Sequence, residues 1–337
     1  MPPCGQARTA TMAACDVAYS AAAGVPVTGT LRHLGFFYQT ADEYAEVVAG
    51  FLRAGLTAGD ATFAAVPPAK LSLIKDALDC DAPGVEFADM TDMGHNPAWI
   101  IPRVRAFTDR HAGRRVRYVG EPIWASRSDA ALREATRHEA LINLAFAAAD
   151  ARILCPYDTA ELDLSVIADA AQTHPLLLSG GRHVPSPAYA LQFHIPSTCS
   201  LPLPAPPGDA MSLTYRANLS EVRALVFKRA IDAGLTEPRA NDLVLAVSEV
   251  AANTFRHTDS PGTLNIWHNA DEIVCEVRDS GRITDPLAGR RMPAPDAPGG
   301  HGLWLVHQVC DLVELRSDST GTTVRMHMAI RPPLPGI

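Results

Sequence analysis

Apolar and polar positions alternate along this chain at two periods, one near 3.6 and one of 2, and the switches between them outline the elements. After Thr40, which makes a capping box with Glu43, residues Tyr44, Val47, Val48, Phe51 and Leu52 recur at helical spacing, and Gly55 is the expected stop. A short apolar strand, 61–66, ends at Pro67-Pro68. A helix carrying Leu71, Ile74 and Leu78 follows. Asn96-Pro97 is a cap with a first-turn proline, opening a helix with Trp99, Ile100, Val104 and Phe107. Strands at 116–119 and 153–155 flank a long helix over about 129–148, and a last helix covers about 161–171. Strands alternating with helices predict a mainly parallel sheet covered on both faces, an α/β domain.

The later pattern differs. A strand over 211–216 precedes a helix with Val222, Leu225, Val226 and Arg229, capped by Asn218 or Ser220 and ended by Gly234. Thr236 and Pro238 open a longer helix. Strands at 264–268 and 272–278, a helix after Gly302, and strands at 312–316 and 322–328 complete the chain. Helices and strands come here in separate groups, with hairpin-linked final strands, which predicts an α+β two-layer sandwich.

The long second-half helix carries the clearest chemistry. Glu249, Asn253 and His257 stand four residues apart and share one stripe, while Val244, Val247, Val250, Ala251 and Phe255 fall mostly on the other side. Such a helix can bury one face and hold a carboxylate, an amide and an imidazole over a cavity, although a solvated surface stripe has the same spacing. Asp279 ends a strand whose Ile273, Cys275 and Val277 share a face, and Ser280-Gly281 follows at once. Glycine there lets a planar ligand approach the backbone. Gly299, Gly300 and Gly302 then open a helix, where free N–H groups and the helix dipole favour an anion. Together these suggest a nucleotide site with a metal.

In this order the motifs resemble those of the GHKL ATPases, the Bergerat-type fold shared by gyrase, heat-shock chaperones, MutL proteins and histidine kinases. More narrowly, the segment resembles the anti-sigma serine-protein kinases of bacterial stress and sporulation switches. Glu249, Asn253 and His257 match the N-box, Asp279 and Gly281 the first glycine box, Gly300 and Gly302 with Leu303 the second, and Gly321-Thr322-Thr323 the last. The resemblance implies that Asn253 ligands Mg²⁺, that Asp279 accepts from the adenine amino group, and that Glu249 orients or deprotonates a nucleophile. It places His257 near the phosphates of ATP. Where many members have a second glycine, this chain has Ile283 after Arg282. The stretch 282–298 is short, holds four prolines, and offers Arg290-Arg291 either as phosphate contacts or as a plain basic loop.

The first half has its own resemblance, to the MEDS sensory domain of methanogen and methylotroph regulators. It rests on His33-Leu-Gly-Phe-Phe-Tyr38, Gly120-Glu-Pro-Ile-Trp124, Arg137-His-Glu-Ala-Leu-Ile-Asn143 and Leu154-Cys-Pro-Tyr-Asp158. It implies a ligand-responsive α/β module with no enzymatic role and an unidentified small-molecule ligand. Ligands of open α/β sheets bind beyond the carboxyl ends of the strands. His33, Tyr38, Glu121, Trp124 and Tyr157 lie at or near strand ends and form the candidate sensory pocket. The half contains no G-x-x-x-x-G-K-[ST], which disfavours a P-loop ATPase.

Composition adds bounds. The 337 residues are 47% hydrophobic and 20% charged, with net charge -8, which disfavours direct DNA binding. Seven cysteines without a C-x-x-C pair read as reduced thiols in a cytoplasmic protein. No run reaches eighteen apolar residues, so no membrane span is expected. The expected organisation is a flexible tail at 1–28, with Met12 an alternative start, a sensory domain at 29–184, a proline-rich linker at 185–208 and the ATPase domain at 209–331. The linker is expected to be extended and semi-rigid, holding the halves apart.

Three functions fit. The first is an anti-sigma factor that phosphorylates an anti-anti-sigma antagonist on Ser or Thr from Mg·ATP and sequesters a sigma factor, with self-pairing possible. The second is a sensor histidine kinase, because Arg137-His138-Glu139 has the look of a phosphoacceptor box, although His138 lies far from the N-box. The third is a non-catalytic nucleotide-binding switch.

Overall fold

The computed structural model describes residues 30–190, 202–216, 218–294, 296–297 and 299–331. The expected tail, with Met12, and residues 191–201 of the linker lie outside them. The chain forms two compact units that do not follow chain order. Within the described residues, the first holds 30–90, 108–125 and 139–190, and the second holds 91–107, 126–138 and the segment from 202 onward.

The first unit is built on a seven-stranded sheet in the order β3-β2-β4-β5-β1-β6-β7. Its strands are β1 (Arg32–Tyr38), β2 (Ala61–Val66), β3 (Glu86–Asp89), β4 (Val116–Gly120), β5 (Ala151–Asp158), β6 (Leu176–Ser179) and β7 (Arg182–Pro185). All neighbours are parallel except the β6–β7 hairpin at one edge. β2 and β4 are buried at every residue, as strands covered on both faces must be. Helix α1 (Ala41–Ala58) starts at Thr40, whose side chain accepts from the Glu43 N–H.

Gly55 does not end that helix; Gly59, at φ 78°, does. Gly55 is glycine because a Cβ would lie 2.6 Å from the side chain of Arg117. That arginine is buried in a pair with Asp60, Nη2 to Oδ2 at 2.9 Å. Helix α2 (Pro68–Leu78) buries Ile74 and Leu78. Helix α3 (Ile100–Arg110) continues a 3-10 turn, Pro97–Trp99, capped by Asn96. Helix α4 (Asp129–Ala145) runs through the division between the units, and its residues 134–143 are buried on all sides. Helix α5 (Leu164–Thr173) lies ahead of β6.

The second unit contains a five-stranded antiparallel sheet in the order β11-β12-β10-β9-β8. These are β8 (Met211–Tyr215), β9 (Gly262–His268), β10 (Glu272–Asp279), β11 (Leu312–Asp318) and β12 (Gly321–Ala329). Helices α6 (Ser220–Ala233), α7 (Glu237–His257) and α8 (His301–Val309) pack on one face. α7 buries Leu243, Ala246, Val247, Val250 and Ala251 against Ile273, Cys275, Val277 and Met326. Each large apolar side chain there contributes about 1.5–3 kcal/mol.

The other sheet face is ionic yet buried. Glu276 and Glu314 are 0% exposed, and Arg325, Arg316 and His327 are 5–6% exposed. Arg325 pairs with Glu276, Nε to Oε2 at 3.0 Å, and donates to the Pro204 carbonyl at 2.6 Å. Arg133 and Glu134 of α4 bind Glu314 and Arg316 at 3.0 and 2.6 Å. The sandwich therefore carries added cover on a face that two-layer packing would leave to water.

Candidate nucleotide site

Three elements of the second unit bring the predicted groups together. α7 exists because Thr236 and Pro238 start it and an apolar stripe buries it. Its polar stripe presents Glu249 and Asn253, both half-buried, and His257, exposed in the last turn. α8 begins at Gly300, whose φ of 90° only glycine adopts readily. Gly302 in its first turn allows close approach to α7, because a Cβ there would lie 3.0 Å from Glu249 Oε2 and 3.9 Å from Asn253 Nδ2. The first N–H groups of α8 thus open beside a carboxylate and an amide. Leu303 anchors the same turn in the core.

Asp279, at the end of β10, is held from two sides. Its Oδ2 accepts from Thr254 Oγ1 at 2.8 Å and its Oδ1 from the Gly281 N–H at 2.8 Å. A carboxylate has about four acceptor positions, so capacity remains for an amino group. Gly281 is required, since a Cβ would meet Thr258 at 2.9 Å. The Gly281 carbonyl accepts from Thr322 Oγ1 at 2.8 Å, and Ser317 Oγ lies 2.8 Å from that hydroxyl and takes the Ile283 N–H at 2.8 Å. At Gly321, a Cβ would fall 2.1 Å from the Asp279 carbonyl oxygen, so only glycine fits the turn. Thr323, next along β12, points to the opposite sheet face and does not join Thr322.

Two members of this network escaped the motif reading. Thr254 follows Asn253 and sits on the buried side of α7, where its hydroxyl also meets Tyr215 Oη at 3.0 Å. Ser317 lies late in β11, with no spacing to mark it. Ile283 is held by its backbone bond to Ser317 and by packing on the core.

Of the pair Arg290-Arg291, one is not available to phosphate. Arg290 is 1% exposed and bonds Glu134. Arg291 is exposed, paired with Asp285 at 2.6 Å, and Arg282 at the start of the stretch is exposed as well.

The candidate sensory residues divide between two places in the first unit. Glu121, after β4, accepts from Tyr38 Oη at 3.1 Å and Tyr44 Oη at 2.9 Å. Burial raises its carboxyl to about 7, against the lowering effect of Tyr44, Lys70 and Tyr38. His33 and Tyr157 lie deeper, beside His174, with His33 lowered to about 4, mainly by burial. Trp124 is half-buried in the loop after Glu121. The five residues do not converge on one centre.

Two family models match the chain. The MEDS model (MEthanogen/methylotroph, DcmR Sensory domain) matches residues 32–175, and the histidine kinase-like ATPase domain matches residues 213–328. No curated protein matches. The described cysteines Cys80, Cys155, Cys275 and Cys310 are free thiols, and among the described residues no helix is long and apolar enough to cross a membrane.

Proposed function

We propose that this chain, a MEDS sensory domain joined to a histidine kinase-like ATPase domain, is an anti-sigma factor with protein serine/threonine kinase activity. The domain pair makes it a regulatory, ATP-binding protein. The finer reading rests on one observation, the convergence of Glu249 and Asn253 on the glycine-opened start of α8. A carboxylate there is placed to serve as a base, and the Asn253 amide, whose oxygen accepts from Arg256 Nη1 at 3.2 Å, would ligand a hard cation on giving up that bond.

The residues fit ATP with Mg²⁺. The cradle at Gly302 is one that a Cβ would fill, and Asp279 keeps acceptor capacity beside Gly281. When bound, Mg²⁺ offsets the charge of the phosphates. Asp279 would take a hydrogen bond from the adenine amino group, the α8 N–H groups would serve the phosphates, and Asn253 would hold the metal. Glu249 takes the proton from a Ser or Thr hydroxyl of an anti-anti-sigma protein as that oxygen bonds to the γ-phosphorus and ADP leaves. The same domain grips a sigma factor in the cytoplasm, and the sensory domain biases the choice through differential affinity for two states.

A histidine-kinase mechanism would need a phosphoacceptor open to ATP. His138 is 1% exposed, inside a buried helix. The test is Glu249→Gln. It should leave binding of a fluorescent ATP analogue within about twofold and lower transfer to the antagonist by on the order of 10²–10⁴-fold. Transfer at the wild-type rate would remove Glu249 as the base.

A further inference from the structure

The first unit buries a second concentration of chemistry that the nucleotide site does not use. His33 on β1, Cys155 on β5, Glu139 on α4 and His174 just after α5 are each at most 1% exposed. Their ligand atoms all lie within 4.8 Å of one another. His33 Nε2 is 3.4 Å from Cys155 Sγ and 3.3 Å from Glu139 Oε2, and His174 Nε2 is 3.3 Å from the same oxygen. Bonds of about 2.0–2.3 Å to a tetrahedral centre would set neighbouring ligand atoms about 3.3–3.8 Å apart; these three distances match, and the whole set, within 4.8 Å, needs only a small contraction around an ion.

A hydrogen-bonded histidine–carboxylate core would share these distances, and two features argue against it. Neither Glu139 oxygen nor His174 Nε2 has a partner in hydrogen-bond geometry among the described residues. These buried polar atoms face a shared point at ion-pair distance but outside hydrogen-bond geometry. Both imidazoles, moreover, are oriented from behind. His33 Nδ1 lies 3.1 Å from Asn143 Oδ1, and His174 Nδ1 lies 2.7 Å from the Ala170 carbonyl. Asn143 is itself fixed by donating to the Thr173 carbonyl at 2.8 Å. Each ring therefore turns Nε2 inward, the arrangement in which outer hydrogen bonds set a metal-binding tautomer. Gly35 keeps the space for His174, since a Cβ there would come within 3.3 Å of its ring.

We propose that His33, Glu139, Cys155 and His174 form a closed tetrahedral site for a divalent transition-metal ion, zinc by its ligand chemistry. The donor set of two imidazoles, one thiolate and one carboxylate suits zinc and is too soft for Mg²⁺ or Ca²⁺. Binding releases the Cys155 thiol proton to solvent. Dication, thiolate and carboxylate then sum to zero charge, which fits a site without water. With four protein ligands the site is structural and ties β1, β5, α4 and the end of α5 together.

The experiment uses the full chain, freed of metal by a chelator and kept without nucleotide, with Co²⁺ as the optical probe and Zn²⁺ as competitor. Metal is added to the folded chain and also during refolding, because the site is buried. The expected result is one Co²⁺ per chain with tetrahedral ligand-field bands and a thiolate-to-cobalt charge-transfer band, displaced by one equivalent of Zn²⁺. Cys155→Ser should abolish the charge-transfer band, and Asn143→Ala should weaken binding about 10–100-fold. X-ray absorption of the zinc-loaded wild type, which needs no variant to fold, should show one sulfur among four ligands. A folded wild type that takes up no metal by either route, a zinc shell of nitrogen and oxygen only, or a charge-transfer band that survives Cys155→Ser would each overturn the assignment.

Discussion

The Thr254 hydroxyl donates to Asp279 Oδ2 at 2.8 Å and is itself in contact with Tyr215 Oη at 3.0 Å. Asp279 is thus positioned by a buried side chain of α7 as well as by its own turn. Thr254→Val keeps the shape and removes the hydroxyl. It should weaken ATP binding about 10- to 100-fold, matching the roughly 1.5–3 kcal/mol of a hydrogen bond to a charged group. Thr254→Ser should bind like the wild type. Titration with a fluorescent nucleotide measures both, and equal affinity for the valine variant would detach Thr254 from the site.

Gly302→Ala inserts a methyl group 3.0 Å from Glu249 Oε2, the mobile end of a side chain. The chain should fold with a thermal midpoint close to wild type, because Glu249 can swing away. Phosphoryl transfer should fall at least about 10-fold as the base moves, with the effect on the transfer rate and not on antagonist affinity. Steady-state kinetics separate the two.

Glu134 sits among Arg137, Arg290 and Arg316 in the second unit. Burial alone would raise its carboxyl, but Arg137, Arg316 and Arg290 outweigh it and hold the group at about 2. Glu134→Gln leaves buried arginine charge without its counter-ion and should cost about 3–5 kcal/mol in chemical denaturation. An unchanged urea midpoint would show that the cluster is neutral to stability.

The same cluster sets an acid sensitivity. His307 is buried and lowered to about 3, first by burial and then by Arg290. As pH falls below about 6.5 the unfolded chain protonates His307 while the folded chain does not, so stability declines from there. Below about 4.5 the unfolded chain also protonates Glu134, whose folded carboxyl holds out to about 2, and the decline steepens. Urea midpoints from neutral pH downward should show both stages, and His307→Gln should reduce the upper one while the contribution of His33, lowered to about 4 by burial, remains.

Much of this architecture was legible in the chain. Thr236, Pro238 and the apolar stripe mark α7, and the strand 61–66 is bounded by its prolines. β3, β6 and β7 escaped because strands of four residues near a sheet edge leave too short a pattern. Gly55 misled because glycine is equally a helix stop and a place for a neighbour to pack, and only the position of Arg117 decides. Nothing local in α4 marks Glu134 and Arg137 as buried, because the partners that bury them lie far along the chain. The same long separation hid the convergence of His33 with Glu139, Cys155 and His174. Glu249, Asn253 and Asp279 were visible because helical spacing and a strand-end turn are local, whereas Thr254 faces inward and carries no local mark.

The most direct measurement is incubation with γ-labelled ATP and Mg²⁺, with and without a candidate anti-anti-sigma protein, followed by acid treatment of the label. The account predicts acid-stable label on the antagonist, lost with Glu249→Gln. Acid-labile label on this chain itself, or no transfer while ATP remains bound, would contradict it.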